Sequence, residues 1–261
     1  MKHLKNMKYL KVILVPIFGI ILTSSAALQA QTLSITASGD SMIRSDLPDN
    51  NYGTGTNFNG YIGTTNGTSD LRQVFAFDLS GLAGLGPDIQ IDSVTMTLTQ
   101  RGPDAGSTAA TVDLSLYALT VGFTEGGVTW NTSEGSTAWT GGGALGNELS
   151  TPITASTQGV RGTELTFASS SAFISEVSTV VGSGGVLYLD VLANVGDLSE
   201  RALINTYFRE VEVNGEYVEG YLPTLTIGYS IVPEPSTYAL LLGVICLLAV
   251  QRKRALSSKS A

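Results

Sequence analysis

From Ile91 to Thr99 the chain runs Ile-Asp-Ser-Val-Thr-Met-Thr-Leu-Thr, with apolar residues near every second position and hydroxyl side chains between them. A period of two sends successive side chains to opposite faces of an extended strand, one face to a core and the other to water. Val112-Asp113-Leu114-Ser115-Leu116-Tyr117 repeats the pattern. Further short runs lie at 33–37, 40–44, 59–62, 72–78, 165–167, 186–191, 202–207 and 223–229, and Gly, Asn, Asp and Pro clusters separate them. One short helical period is expected at 172–181, with Phe173, Val177 and Val180 on one side. Short strands between turn signals predict an all-β fold, a jelly-roll-like β-sandwich, and about 200 residues suffice for one sizeable core.

The ends differ from this body. All six lysines lie at the termini, the one His is His3 and the one Cys is Cys246. Residues 31–231 hold six arginines against twenty-one acids, a balance of −15, where the whole chain carries −8. A body without His, Cys or Lys has no Ser-His-Asp or Cys-His couple, no Schiff-base lysine, no His/Cys zinc site and no disulfide. Its acidity lacks the electrostatic footprint of a nucleic-acid binder. No pair among the acids is singled out by spacing, so a non-enzymatic role is expected. The carboxylates, amides, hydroxyls and aromatics that remain suit hard cations and sugars.

At the N-terminus four lysines precede an apolar run, 12–22, and then small residues. That is the layout of a secretory signal peptide over 1–30, cut after Ala30 or Ala27, and it implies export through the Sec translocon and signal peptidase. An eleven-residue helix spans about 16 Å, against roughly 30 Å of bilayer hydrocarbon. The body follows at 31–230 and a C-terminal segment at 231–261. There, Val232-Pro233-Glu234-Pro235-Ser236-Thr237 precedes an apolar run at 238–250 and a basic tail at 252–261 that opens with Arg252-Lys253-Arg254. The expectation is a short C-terminal transmembrane helix whose cationic flank stays cytoplasmic. Two prolines hold the motif extended, ready for a protease cleft.

This ordered triplet resembles the PEP-CTERM sorting signal. The resemblance implies recognition at Pro233-Glu234-Pro235 by a membrane-embedded, exosortase-type protease, and delivery of the body to the cell surface or extracellular matrix of a bacterium. The body resembles the DNRLRE-type module, a jelly-roll sandwich allied to carbohydrate-binding modules. The phrases that carry this begin with the run from Asp40 to Thr54 and continue through Arg72, Phe77-Asp78-Leu79-Ser80-Gly81-Leu82 and Phe123-Thr124-Glu125-Gly126-Gly127-Val128-Thr129-Trp130-Asn131. Phe208-Arg209-Glu210 and Leu222-Pro223-Thr224-Leu225-Thr226-Ile227 complete them. The chain departs from the family pattern at Phe123, where Trp is usual, at Leu222, where a basic residue often stands, and before Arg209.

Asp40, Asp46, Asp49, Asn50 and Asn51 crowd one loop region. Calcium takes six to eight such oxygens, and Asx turns use the same residues for their own backbone. Trp139, in a Gly-rich stretch, is the candidate sugar platform, while Trp130 is expected in the core. In the family resemblance Arg44, Arg72 and Arg209 could hold glycan carboxylates, or they pair internally with Asp78, Glu125 or Glu210. A body at −15 repels anionic polymers unless calcium bridges them, so a neutral or calcium-bridged polysaccharide is the expected partner. A structural matrix protein without a ligand is the alternative.

Overall fold

The computed structural model describes residues 30–54, 59–85, 89–194, 200–208, 212–213, 216–217, 221–232 and 242–252. Residues 1–29 of the signal-peptide segment, Arg209, Pro233, Glu234 and Pro235 lie outside the described residues, and Ala30 opens the first strand. The body is all-β, and its strands pair antiparallel.

Strands β1 (Ala30–Thr36), β16 (Thr224–Ile231), β5 (Ile89–Gly102) and β11 (Glu164–Phe167) form sheet A in that spatial order. Sheet B contains β13 (Ala202–Tyr207), β3 (Asn59–Thr64), β4 (Leu71–Asp78), β12 (Val186–Ala193), β6 (Thr111–Leu119) and β10 (Ile153–Ser156). Strand β2 (Gly39–Arg44) pairs with β4, and β9 (Leu145–Glu148) with β6. Two small hairpins stand apart: β7 (Thr132–Glu134) with β8 (Thr137–Ala138), and β14 (Glu212–Val213) with β15 (Glu216–Tyr217).

β5 joins the two sheets. Its residues 89–97 pair with β16, whereas Gln100 and Gly102 pair with β13 in sheet B. The alternation read from the sequence contains one irregular step, from Ile91 to Val94, and the register explains it. Ser93 faces Gly228 and Ile91 faces Tyr229, which leaves Asp92 as the extra residue of a β-bulge. The bulge keeps Ile91, Val94, Met96 and Leu98 all on the core side.

Between the sheets lies one core. Sheet A contributes Met96, Phe167 and Ile227, and sheet B contributes Phe75, Phe77, Leu116 and Leu189. Truncating a fully buried Phe such as Phe77 to Ala costs about 3–5 kcal/mol in cores of this kind. A helix turn α1 (Ser80–Ala83) and the helix α2 (Ser171–Ser183) close one end. Ser170 caps α2 by accepting from the Phe173 N–H at 3.0 Å, and Gly184, at φ 66°, ends it. The buried stripe is Phe173, Val177 and Val181; Val180, expected from the sequence, packs only at its edge. The ten strands expected from alternation are present, and β7–β10, β14 and β15 were not anticipated. Those six are two to four residues long, too short to display a period.

Near the C-terminus, residues 242–252 are helical and largely exposed. Eleven residues reach about 16 Å, and among the described residues no helix is long and apolar enough to cross a membrane. The segment at 238–241, which the sequence assigns to the same run, is outside the described residues.

Candidate functional site

Strand β12 reads Val-Leu-Tyr-Leu-Asp-Val-Leu-Ala, apolar on both faces except at Asp190. Leu187, Leu189, Val191 and Ala193 enter the core. Val186, Tyr188 and Asp190 point the other way, onto the outer face of sheet B. That face is covered. Val74, Ala76, Ile43, Leu119, Phe123 and Val128 form a second apolar cluster there, with Trp130, Trp139, Val186 and Tyr188 packed against it. The cover is the segment from 120 to 144, a strap that contains the β7–β8 hairpin.

Asp190 sits beneath the strap, wholly buried, between Val74 of β4 and Tyr117 of β6. Neither carboxylate oxygen receives a hydrogen bond from the described residues. Burial, the dominant cause, pushes its pKa up to about 7; Arg72 pulls it down and Asp70 pushes it up. Arg72 Nη1 lies 3.7 Å from Asp190 Oδ2. The same guanidinium donates to Asp70 Oδ2 through Nε and Nη2, at 2.8 and 2.6 Å, and through Nη1 to the Gly142 carbonyl at 3.2 Å. It also lies 5.0 Å from the Trp130 ring centroid, a cation–π contact. Asp70 Oδ1 is buried and, like the Asp190 oxygens, receives no hydrogen bond from the described residues.

The strap folds onto its own tryptophans. The Trp130 carbonyl accepts from Trp139 Nε1 at 3.0 Å and from the Gly142 N–H at 2.9 Å. Gly142 and Gly143 adopt φ of 80° and 97°, where a Cβ is disfavoured, and a Cβ on Gly143 would lie 3.8 Å from Asp190 Oδ2. Trp139 is half-buried, and so is Trp130, which packs on the outer cluster rather than in the main core where the sequence placed it. The reason is geometric: Trp130 belongs to the strap, outside the two-sheet interior.

The Asp/Asn-rich region is tied to the same strap. Asn51 Nδ2 donates to the carbonyls of Glu125 and Val128, both at 2.7 Å, and Asp49 Oδ1 accepts from Asn131 Nδ2 at 2.8 Å. A Cβ on Gly53 would fall 2.3 Å from the Glu125 carbonyl oxygen, so glycine permits this approach. The Asn50 N–H turns back to the Leu47 carbonyl at 3.1 Å. Asp46 takes a bidentate pair from Arg44, at 3.0 and 2.7 Å, which holds the Asp46 carboxyl below its ordinary pKa. Asp40 is fully buried on β2 opposite Phe75. The five residues proposed for calcium thus face different partners, and no group of three or more acidic, His or Cys residues suited to a metal occurs among the described residues.

Of the sequence candidates, Arg72 and Trp139 meet in one place and Arg44 does not join them; Arg209 lies outside the described residues. Two of these arginines have partners among the described residues. Arg44 pairs with Asp46, and Arg72 with Asp70 and Asp190; Glu210, one of the expected partners, lies outside the described residues. Short sequence separation favours the first two pairs. Asp190 was missed. Its signal was present in the sequence: an acid within a strand apolar on both faces must be covered on both. No family model matches the chain, and no curated protein matches it.

Proposed function

We propose that the chain is an exported, surface-sorted, non-enzymatic protein of the cell envelope or extracellular polymeric matrix. Its body, a jelly-roll-like sandwich on this reading, contacts neutral polysaccharide through the outer face of sheet B. Export and sorting rest on the two termini, the cationic apolar leader and the Pro-Glu-Pro, apolar run and basic tail in order. The observation that carries the polysaccharide contact is Asp190. A buried carboxylate with two acceptor oxygens and no donor among the described residues, beside a guanidinium and two tryptophans, is chemically matched to hydroxyl donors on an apolar ring. Entry requires the Thr140–Gly143 turn, with its left-handed glycines, to lift from Asp190.

Glycan arrays probed with the exported chain, with and without calcium, test this. Binding of neutral glycans is expected, and Asp190→Asn, which keeps shape but supplies a donor in place of one acceptor, should weaken it at least tenfold. Mass spectrometry of the mature C-terminus tests sorting separately, and an Arg252-Lys253-Arg254 tail still attached would overturn it. One observation favours a ligand-free matrix protein: Arg44, Arg72 and Arg201 all engage internal carboxylates. Absence of binding across the arrays would select that reading.

A further inference from the structure

Among the described residues β1 has a strand neighbour on one side only, β16, and it ends the strand order of sheet A. Such an edge offers a row of unpaired backbone N–H and C=O groups, which proteins ordinarily guard with charge, proline, a bulge or brevity. β1 has none of these. It reads Ala-Gln-Thr-Leu-Ser-Ile-Thr, and its seven residues keep an unbroken register with β16 from Ala30–Ser230 to Thr36–Thr224. Other edge strands are short or charged: β9 and β10 have four residues each. β11 has four residues and starts at Glu164; β2 contains Asp40 and Arg44.

The character of β1 also says what would lie against it. The body carries −15, yet neither β1 nor β16 holds a charged residue. Two copies approaching through most faces repel, whereas two copies meeting along β1 bring no charge together. Leu33 and Ile35, on the core side, are only half-buried because the layer stops there. An antiparallel copy of the same strand places its own Leu33 and Ile35 on that side and continues the layer.

We propose that β1 is a homotypic docking edge, through which two copies of this chain pair antiparallel about a two-fold axis and join their A sheets. An isologous contact of this kind closes as a dimer.

The test exploits the scarcity of thiols. In the full exported chain with Cys246→Ala, single substitutions Thr32→Cys, Ser34→Cys and Thr36→Cys each place one thiol on the exposed side of β1. The position nearest the two-fold axis should give a reductant-sensitive dimer, while Thr166→Cys on β11, at the opposite edge of the sheet, stays monomeric. In detergent solution, sedimentation of the chain with Thr32→Lys and Ser34→Lys together should show association at least tenfold weaker at an unchanged melting temperature. The proposal is overturned if no β1 position cross-links, if Thr166→Cys cross-links equally, or if the lysine variant associates as the parent does.

Discussion

The outer faces of the two sheets obey the same alternation and carry opposite chemistry. On sheet A, Thr36, Thr224, Thr97 and Thr166 stand in one row across four strands, and Ser34, Thr226 and Thr95 form the next. Neighbouring hydroxyls meet between Thr97 and Thr166 at 3.2 Å and between Ser34 and Thr226 at 3.3 Å, while Thr224 donates to the Leu222 carbonyl at 2.9 Å. On sheet B the corresponding face carries Arg72 and Asp190 amid apolar side chains, sealed by a strap that arrives from another part of the chain. An open face leaves each residue to its own strand's preferences. A covered face makes each residue answer to partners far away in sequence, so errors there cost more.

Arg72→Ala should show the largest effect. It removes the cation between Asp70 and Asp190, the Trp130 contact and the tie to the Gly142 carbonyl, and leaves Asp190 buried without a counter-charge. Breaking a buried pair by deleting one partner costs about 3–5 kcal/mol. Urea denaturation of the parent and variant measures it. A loss under about 1 kcal/mol would mean that the strap is no more tightly held than an exposed surface pair.

The pH dependence of stability is the next largest effect. In the unfolded chain the Asp190 carboxyl titrates near 3.8, and in the folded protein near 7. Between those values the folded state holds a proton that the unfolded state has released. The stabilisation is therefore complete below about pH 4, declines as pH rises to about 7 and is lost above that, at no more than about 1.4 kcal/mol per pH unit. Asp46 and Asp104 act in the opposite sense, since hydrogen bonds from Arg44 and Arg201 hold their carboxyls low and their contribution fades as pH falls below the ordinary carboxylate range. Asp190→Asn should flatten the decline between pH 4 and 7 and leave the acid limb intact. Melting curves across that range decide the matter, and an unchanged slope in the variant would remove Asp190 as its source.

A smaller loss is expected at the anchor of the strap. Asn51→Ala withdraws the donor from two carbonyls, those of Glu125 and Val128. Leaving buried acceptors without partners costs about 1–3 kcal/mol. Faster amide exchange confined to residues 125–131 would accompany it, and exchange unchanged there would show that other contacts hold the strap.

The contrast between the faces also explains what could be read in advance. Strands such as 89–99 and 111–118 announce themselves because alternation is a local signal and each face has one solvent. The helix at 172–181 was legible from Phe173 and Val177 four residues apart. The covered face was not, because Arg72 meets Gly142 seventy positions away and Asn51 meets Val128 at a distance of seventy-seven. Composition could name Arg72 and Trp139 as unusual, yet their convergence depends on a loop path that no period encodes. The Asp/Asn-rich run shows the same non-locality. Asp49 and Asn51 are adjacent in sequence to Asn50, but the strap engages them and the Leu47 turn engages Asn50.

The least costly change should be Thr97→Ala, on the open face. Thr97 sits centrally in its row, with Thr224 on one side and Thr166 on the other, and its hydroxyl contacts that of Thr166. Loss of a cross-strand hydroxyl pair and of a β-branched residue amounts to about 0.2–1 kcal/mol. The paired variant Thr97→Ala with Thr166→Ala closes a double-mutant cycle, and the coupling should lie within that range because both hydroxyls reach water when their partner is gone. A coupling as large as the Arg72 loss would break the comparison, since it would mean that the row of threonines on sheet A is as interdependent as the charges beneath the strap.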